Sequence, residues 1–265
     1  MVSTAAFQPF GMAKGESKDG FVAKGQVKSN GTILRMDPDG SNLEVYAWGL
    51  RNPFGLGFTP DGKLFCTEAG MDERGSRPIA NAPDCLWEIK EGAWYGFPDF
   101  VAGEPVTDPK FRSNRGPAPE FLLVEHPKVE KPVLALPPHT GGAKFDLSRS
   151  AAFGKGQAYI ALLGDMLPST GEPNKHPGFG VARLDMKTLK IEPFFKTRPE
   201  ALGPKGFEYV ATAGPKRPVD VKFSPDGKSL YVVDFGAMVD VPTAVGPTSR
   251  PFPGTGTLWR ITATQ

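Results

Sequence analysis

Histidine, cysteine and long apolar runs are all scarce in this chain of 265 residues, which contains three histidines and two cysteines. Two cysteines by themselves cannot form a zinc or iron–sulfur cluster. The longest apolar run, Ala158–Leu163, is much shorter than the roughly 18 residues of a membrane-spanning helix. The sequence therefore predicts neither a cysteine-bound metal centre nor a membrane span.

An excess of charge is also lacking, because lysine and arginine outnumber aspartate and glutamate by only 31 to 29. A net charge of +2 without a basic cluster gives no electrostatic reason to expect a nucleic-acid partner. The first ten residues lack the basic start and the apolar stretch of a signal peptide. If the protein is exported, we expect its signal to lie upstream of this sequence.

The two cysteines, Cys66 and Cys85, fall in successive predicted strands, which antiparallel pairing would bring near each other. A disulfide also requires α-carbons within about 7 Å, a condition that sequence spacing does not settle. A disulfide and a pair of buried free thiols both remain open, and the free thiols are favoured.

Glycine and proline are abundant, with 32 and 28 residues spread between short apolar runs, and this pattern indicates turns between strands. One hairpin unit occurs twice. Asn52–Phe65 matches Arg217–Lys228, and in both a Pro-Asp-Gly turn follows an apolar segment. Proline presets φ and Asp-Gly tolerates positive φ, so both turns predict tight β-hairpins. A weaker third unit runs from Thr140 to Tyr159, with a longer loop in place of the turn.

A second repeat, with an apolar-x-Arg-apolar core, interleaves with the hairpins. It occurs at Thr32–Met36, Gly180–Leu184 and Thr257–Ile261. Each occurrence would be the third strand of a unit, and the first two run on into predicted outer strands at Leu43–Trp48 and Leu189–Phe195. Strands at this spacing, with no amphipathic helix between them, predict an all-β fold, a β-propeller with four-stranded blades. A β-sandwich is the alternative, but sandwiches rarely repeat their sequence in this way.

The hairpins account for about three blades, whereas closed propellers have about 4–8. We therefore expect residues 1–30 to be irregular or a remnant of a preceding blade. Residues 31–265 would form a partial propeller covering roughly half of the ring. An open half-ring exposes strand edges, which proteins normally avoid. The chain is thus expected to be incomplete, or to associate with itself through its open propeller edges.

The segment Trp48–Leu56, which contains Gly-Leu-Arg-Asn-Pro, resembles the glucose/sorbosone dehydrogenases. These are six-bladed propellers that bind pyrroloquinoline quinone (PQQ) and calcium. The likeness continues through Thr67–Gly70 and Trp94–Asp99, and it returns at Arg217–Asp220. It covers most of the chain from about Gly31 onward, so this chain is similar to the C-terminal portion of such an enzyme.

The resemblance implies a cofactor site built from particular residues. Arg51 and Asn52 match a pair that contacts the quinone. Arg51 would have the catalytic role of polarising the carbonyl that accepts hydride, which suits a permanently charged guanidinium. The alternative for Arg51 is a structural tie to backbone carbonyls. Arg217 matches an arginine that pairs with a quinone carboxylate, and His139 is a further cofactor-binding candidate, although a structural role is favoured for it.

The resemblance also implies a calcium site at the end of the same hairpin. Main-chain carbonyls of Gly70 and Met71 would bind the ion, and Asp72 is acidic enough to contribute, because calcium prefers oxygen ligands. The chain departs from the family pattern where the family has a glutamine, an arginine and a lysine; these positions are Ala69, Val219 and Gly180.

An aromatic cluster follows the calcium-site segment, and its spacing on short strands favours blade packing over sugar stacking. Its members are Trp87, Trp94, Tyr95, Phe97 and Phe100. The catalytic histidine base of the family has no counterpart in this sequence, because none of the histidines lies in its context. These histidines are His126, His139 and His176.

The leading hypothesis is a quinone-dependent oxidoreductase that oxidises an aldose at the anomeric carbon and passes the electrons to a separate acceptor. The resemblance implies a periplasmic or secreted location. One rival is a non-catalytic propeller that acts as a binding module. The other is a calcium-dependent lactonase, for which Glu68, Asp72 and Asp220 are candidate ligands.

Overall fold

The structure is a computed structural model that describes residues 30–73, 75, 77–123, 125–165, 177–197, 214–241 and 248–263. The predicted irregular segment 1–30 lies almost wholly outside these ranges. Within them the chain forms strands and turns, with short 3-10 turns at Pro109–Phe111 and Ala151–Phe153. The described residues include no helix that is long and apolar enough to cross a membrane.

The strands alternate with turns along the whole described chain, as predicted. They are β1 (Thr32–Arg35), β2 (Glu44–Trp48), β3 (Pro53–Phe58), β4 (Leu64–Glu68), β5 (Pro83–Ile89), β6 (Phe100–Val101), β7 (Glu104–Pro105), β8 (Leu134–Pro138), β9 (Gly142–Leu147), β10 (Gln157–Leu162), β11 (Gly180–Asp185), β12 (Ile191–Lys196), β13 (Pro218–Phe223), β14 (Ser229–Asp234), β15 (Met238–Val241), β16 (Thr248–Pro251) and β17 (Thr257–Thr262).

The chain divides into two compact units. The first combines the residues up to Pro53 with Leu64–Ala135, and the second combines Phe54–Lys63 with the residues from Leu136 onward. In the first unit β1 pairs with β2, β4 with β5, and β6 with β7, all antiparallel. The β4–β5 register places Glu68 opposite Cys85 at the end of the ladder.

The second unit contains a complete four-stranded antiparallel sheet, in the order β12-β11-β10-β9. It joins the third hairpin unit to the Arg-containing repeat, because β10 pairs with β11 from Gln157 opposite Asp185 to Leu162 opposite Gly180. This is the four-stranded blade that the two interleaved repeats predict. The all-β fold with four-stranded blades is therefore confirmed.

The sheet β13-β14-β17 repeats the same order of hairpin and Arg-containing strand. Its Pro-Asp-Gly turn closes with the amide of Gly227 donating to the carbonyl oxygen of Ser224 at 2.8 Å. The turn after β3 closes in the same way, since Gly62 donates to Thr59 at 2.9 Å. Both glycines have positive φ, +67° and +86°, the conformation for which the turn sequence selects glycine.

Each unit has its own apolar core. The first is centred on Trp87, which lies edge-on to Tyr95 with ring centroids 5.2 Å apart. The second is centred on Tyr159, which packs against Phe153, Phe194 and Phe223. Trp87, Trp94 and Tyr95 are at most 2% exposed, and the partly buried Phe97 and Phe100 pack against core clusters. The aromatic cluster is therefore packing core, as the sequence predicted.

Candidate functional site

The buried carboxylate of Glu68 organises the start of the Arg-Asn segment. Glu68 is the last residue of β4 and is 8% exposed. Its Oε1 accepts the backbone N–H of Arg51 at 2.6 Å and that of Asn52 at 3.4 Å, and its Oε2 accepts the indole N–H of Trp87 at 2.7 Å. Burial raises the pKa of Glu68, while the N–H donors of Arg51 and Trp87 oppose that shift. The carboxylate thereby fixes the backbone from which both predicted cofactor residues project.

The side chain of Arg51 bridges two oxygens of the following loop. Its Nη1 donates to the carbonyl oxygen of Gly70 at 2.6 Å, and its Nη2 to the carboxylate of Asp72 at 2.8 Å. Both partners are partly shielded, with side chains of Arg51 and Asp72 26% and 15% exposed. Arg51, Gly70 and Asp72 are thus brought together, whereas the side chain of Asn52 is exposed and its carbonyl accepts the amide of Ala69 at 3.3 Å.

The residues predicted to bind calcium do not fit a calcium site in this arrangement. The carbonyl of Gly70 and the carboxylate of Asp72 already bind the Arg51 guanidinium. The side chain of Met71 is 9% exposed and packs in an apolar cluster with Ile79 and Val101. Among the described residues no group of three or more His, Cys, Asp and Glu side chains is placed to hold a metal ion.

A small cavity adjoins these residues and is lined by Arg51, Glu68, Gly70, Trp87 and Tyr95, among others. Its volume of about 20 Å³ is room for one water molecule. Pockets for small-molecule ligands typically have about 300–1,000 Å³. The cavity is therefore too small to hold an organic cofactor.

A second carboxylate has the same bonds in the other unit, and the sequence reasoning missed it. Asp234, the last residue of β14, accepts the amides of Lys216 and Arg217 at 2.7 and 2.8 Å and the indole N–H of Trp259 at 3.2 Å. In both units the tryptophan stands two residues after the residue that pairs with the acidic residue across the strands. Glu68 pairs with Cys85, and Asp234 pairs with Thr257. The signal in the sequence was an acidic residue at the end of the second strand in two matching hairpins. A tryptophan follows it 19 residues later in the first hairpin unit and 25 residues later in the second.

The third hairpin unit lacks this network. Its second strand ends at Leu162, and Ala182 stands two residues beyond the partner opposite it. An apolar pair replaces the carboxylate and the indole. Within the part of the chain that the structure describes, the carboxylate–indole network therefore occurs in the two units that begin with Arg51 and with Lys216–Arg217.

Arg217 is buried in the second unit and is 1% exposed. Its Nη1 donates to the carbonyl oxygens of Leu163, Gly164 and Asp165 at 3.1, 3.4 and 2.8 Å, and its guanidinium lies 4.9 Å from the ring centre of Phe179. This side chain ties the second hairpin unit to the loop after β10. Its pairing with a quinone carboxylate stays a prediction.

The described histidines differ in their surroundings. His126 lies in a loop, as predicted, but its Nε2 is 2.9 Å from the fully buried carboxylate of Asp99, and its ring stacks on Trp94. His139 follows β8 with a left-handed φ of +61°. Its role at the cofactor stays a prediction, and His176 lies outside the described residues.

The remaining sequence candidates are distributed over both units. Glu68 and Asp72 both contact Arg51, whereas Asp220 belongs to the second unit and pairs with Lys144 at 3.1 Å. Cys66 and Cys85 are both buried free thiols, the alternative that the sequence favoured.

Comparison with known proteins identifies the family. The profile described as Glucose / Sorbosone dehydrogenase matches residues 9–164, and no curated protein matches the sequence. The chain resembles a crystal structure of glucose dehydrogenase with 20% identity and a TM-score of 0.50, over 89% of this chain and 55% of that one. At this identity the likeness shows the fold alone.

Two further solved structures have similar values. The holo PQQ domain of pyranose dehydrogenase from Coprinopsis cinerea has 19% identity and a TM-score of 0.49, with 79% of this chain and 60% of that chain covered. The apo soluble aldose sugar dehydrogenase from Escherichia coli has 19% identity and a TM-score of 0.47, with 77% and 51% covered. The chain thus spans about half to three fifths of the length of these structures.

The matched residues 9–164 make up more than half of the chain. They include Arg51 and Asn52, whose backbone Glu68 holds, together with the loop at Gly70 that Arg51 contacts. This chain belongs to the glucose/sorbosone dehydrogenase family.

Proposed function

We propose that this chain forms part of a quinone-dependent oxidoreductase that oxidises an aldose at its anomeric carbon. The observation that carries the proposal is the family match over the segment in which Glu68 fixes Arg51 and Asn52. Since the chain spans only part of its structural relatives, the activity belongs to the whole protein. PQQ is the proposed cofactor, because Arg51 and Asn52, which match the pair that contacts the quinone in the resembled family, lie within the matched residues.

Arg51 and Asn52 are the proposed contacts to the quinone. Two nitrogens of the Arg51 guanidinium are committed to Gly70 and Asp72, and the side chain is still 26% exposed. A guanidinium has five N–H donors, so it can donate to a further oxygen. The exposed amide of Asn52 is a second donor on the same segment. When bound, the quinone supplies the carbonyl that accepts hydride from the sugar.

The contribution of this chain to the reaction is electrostatic. A fixed positive charge at Arg51 stabilises negative charge that develops on an acceptor oxygen, and it costs no reorganisation because Glu68 and Asp72 already hold the residue. The proposal also includes a sugar substrate and a separate electron acceptor. It further includes a periplasmic or secreted location and self-association through open propeller edges.

The test uses the longest reading frame that contains this chain. The purified protein is incubated with PQQ, and aldose-dependent reduction of an artificial dye is followed, together with quinone binding by absorbance. We expect Arg51→Gln to lower the turnover number by about 100-fold or more, the effect of removing one preorganised donor. The matched control is Arg35→Gln, an exposed arginine paired with Glu44 and Glu91, which should leave turnover unchanged. A folded wild-type protein that binds no quinone and reduces no dye contradicts the proposal.

A non-catalytic binding module is the second candidate, and the bonding of Arg217 favours it. A guanidinium held by three carbonyl oxygens and 1% exposed is a structural tie. The substitutions at Ala69, Val219 and Gly180 also remove polar groups that the family pattern has. A protein of this kind would bind a sugar without oxidising it, which calorimetry with and without PQQ distinguishes.

A further inference from the structure

Two oxygens of the Gly70–Asp72 loop bind the guanidinium of Arg51, a cation that the protein itself supplies. The carbonyl oxygen of Gly70 lies 2.6 Å from Arg51 Nη1, and the Asp72 carboxylate lies 2.8 Å from Arg51 Nη2. Charge-assisted bonds of this length are among the stronger contacts that a guanidinium makes. Both oxygens therefore have a positively charged partner without any bound metal ion.

The position of Arg51 is set by its backbone. The carboxylate of Glu68 holds the Arg51 amide at 2.6 Å, and the same carboxylate is anchored by the indole of Trp87 at 2.7 Å. Because Glu68 is buried, water competes little for these bonds. The guanidinium is therefore directed at the loop by a rigid support.

The loop itself has little freedom to adapt. The amide of Gly70 donates to the buried carboxylate of Asp84 at 2.7 Å, and a β-carbon on Gly70 would lie 2.6 Å from the carbonyl oxygens of Ala82 and Pro83. The carbonyl of Asp72 accepts the amide of Ile79 at 3.1 Å. The loop is thus closely packed on one side and bonded to Arg51 on the other.

A calcium ion at this loop would have to share oxygens with Arg51, because the Gly70 carbonyl and the Asp72 carboxylate each already accept an N–H of its guanidinium. Calcium takes six to eight oxygens at about 2.3–2.6 Å, nearly the distance at which the guanidinium nitrogens now stand from Gly70 and Asp72. A doubly charged ion there would also lie beside a fixed positive charge. Charge repulsion and the shared oxygens therefore make calcium binding unfavourable while Arg51 occupies the loop.

We propose that the guanidinium of Arg51 takes the place of a divalent cation in the Gly70–Asp72 loop, so that this loop binds no calcium. The proposal concerns cation binding and goes beyond the proposed oxidoreductase activity, since it holds or fails without any turnover. It also assigns Asp72 a definite role as the counter-ion that keeps Arg51 in the loop.

The experiment titrates calcium into the full chain by isothermal calorimetry and records melting temperatures in calcium, in magnesium and in chelator at equal ionic strength. The variants are Arg51→Gln, Asp72→Asn and the double variant, and Arg35→Gln is the control that removes an arginine from another carboxylate pair. We expect the wild type and Arg35→Gln to show the same melting temperature in calcium and in chelator. Arg51→Gln should gain one calcium site of about millimolar affinity, and the added Asp72→Asn change should abolish it.

Two results overturn the proposal. One is a calcium site in the wild type that Asp72→Asn removes. The other is an Arg51→Gln protein that is folded, as judged by circular dichroism, and gains no calcium response. If Arg51→Gln does not fold, the comparison of wild type with Asp72→Asn still decides, because it needs no change at Arg51.

Discussion

The carboxylate of Glu68 lies 2.6 Å from the backbone nitrogen of Arg51, across a separation of 17 residues along the chain. The bond joins the end of β4 to the segment before β3, at the place where the family motif stands. Asp234 bonds the amide of Arg217 at 2.8 Å, again 17 residues apart. The two arginines to which the resemblance gives cofactor roles thus have the same kind of backbone anchor.

Replacing Glu68 should destabilise the protein in a pH-dependent way. Burial raises the pKa of Glu68, so the folded state holds the proton more tightly than the unfolded state. The contribution of Glu68 to the free energy of unfolding is therefore fully present below its unfolded pKa, and it is lost as pH rises through the raised folded pKa. We expect Glu68→Gln to cost about 2 kcal/mol, with the gap between wild type and variant narrowing as pH rises.

Urea unfolding of both proteins between about pH 4 and pH 7 measures that gap, since this interval spans the ordinary range of a glutamate and values above it. Effects of other titrating groups cancel in the difference. A gap that widens with rising pH would show that the charged form of Glu68 is the favoured one in the folded protein.

The two carboxylate–indole pairs, Glu68 with Trp87 and Asp234 with Trp259, should contribute similar coupling energies and should not couple to each other. In a double-mutant cycle, Asp234→Asn and Trp259→Phe should couple by about 1–2 kcal/mol, because each removes one partner of the same bond. Glu68→Gln and Trp87→Phe should couple to a similar extent. Mixed cycles, such as Glu68→Gln with Trp259→Phe, should be additive, and substantial coupling in them would contradict the assignment of partners.

Gly49→Ala should be far more costly than the same change at a turn glycine. Gly49 has a φ of +74°, and a β-carbon there would overlap the ring of Trp94. Trp94 is 1% exposed and cannot move aside. We expect a loss of about 3 kcal/mol or more in the free energy of unfolding. Gly62→Ala is the matched control, because Gly62 has a φ of +86° and open space around it, so it should cost only about 1–2 kcal/mol.

The thiols of Cys66 and Cys85 should be unreactive in the native protein. They are 0% and 3% exposed, and burial raises the pKa of Cys85. The Cys85 thiol therefore stays protonated at neutral pH, and the thiolate is the reactive form. Cys66 is shielded from reagents by its burial. An aromatic disulfide reagent should detect two thiols only after denaturation. Rapid labelling of the folded protein would contradict this expectation. So would the absence of both thiols after denaturation, which would indicate a disulfide.

Much of the fold follows from the sequence because turns and strand alternation are local properties. The turns at Pro60–Gly62 and Pro225–Gly227 need only a preset φ followed by a glycine at positive φ, and both are present as predicted. The Arg-containing repeat likewise marks β1, β11 and β17. The family motif around Arg51 is also a contiguous run of residues, so the sequence alone is enough to recognise it.

The site was less accessible to sequence reasoning. Asp234 and Trp259 are 25 residues apart, and nothing in either residue alone predicts that the indole donates to the carboxylate. Likewise His126 reads as a loop residue, although it meets a buried carboxylate 27 residues earlier, at Asp99. These contacts form only when folding brings together residues that are 25 and 27 positions apart in the sequence.

The sequence by itself thus determined the strands, the hairpin turns, the repeated unit and the family. Only the tertiary structure decided which cation meets Gly70 and Asp72 and which oxygens receive the guanidinium of Arg217. The physical reason is that a turn depends on the φ preferences of adjacent residues, whereas a partly or fully buried charge must find its partner through space. At the Gly70–Asp72 loop that partner is Arg51.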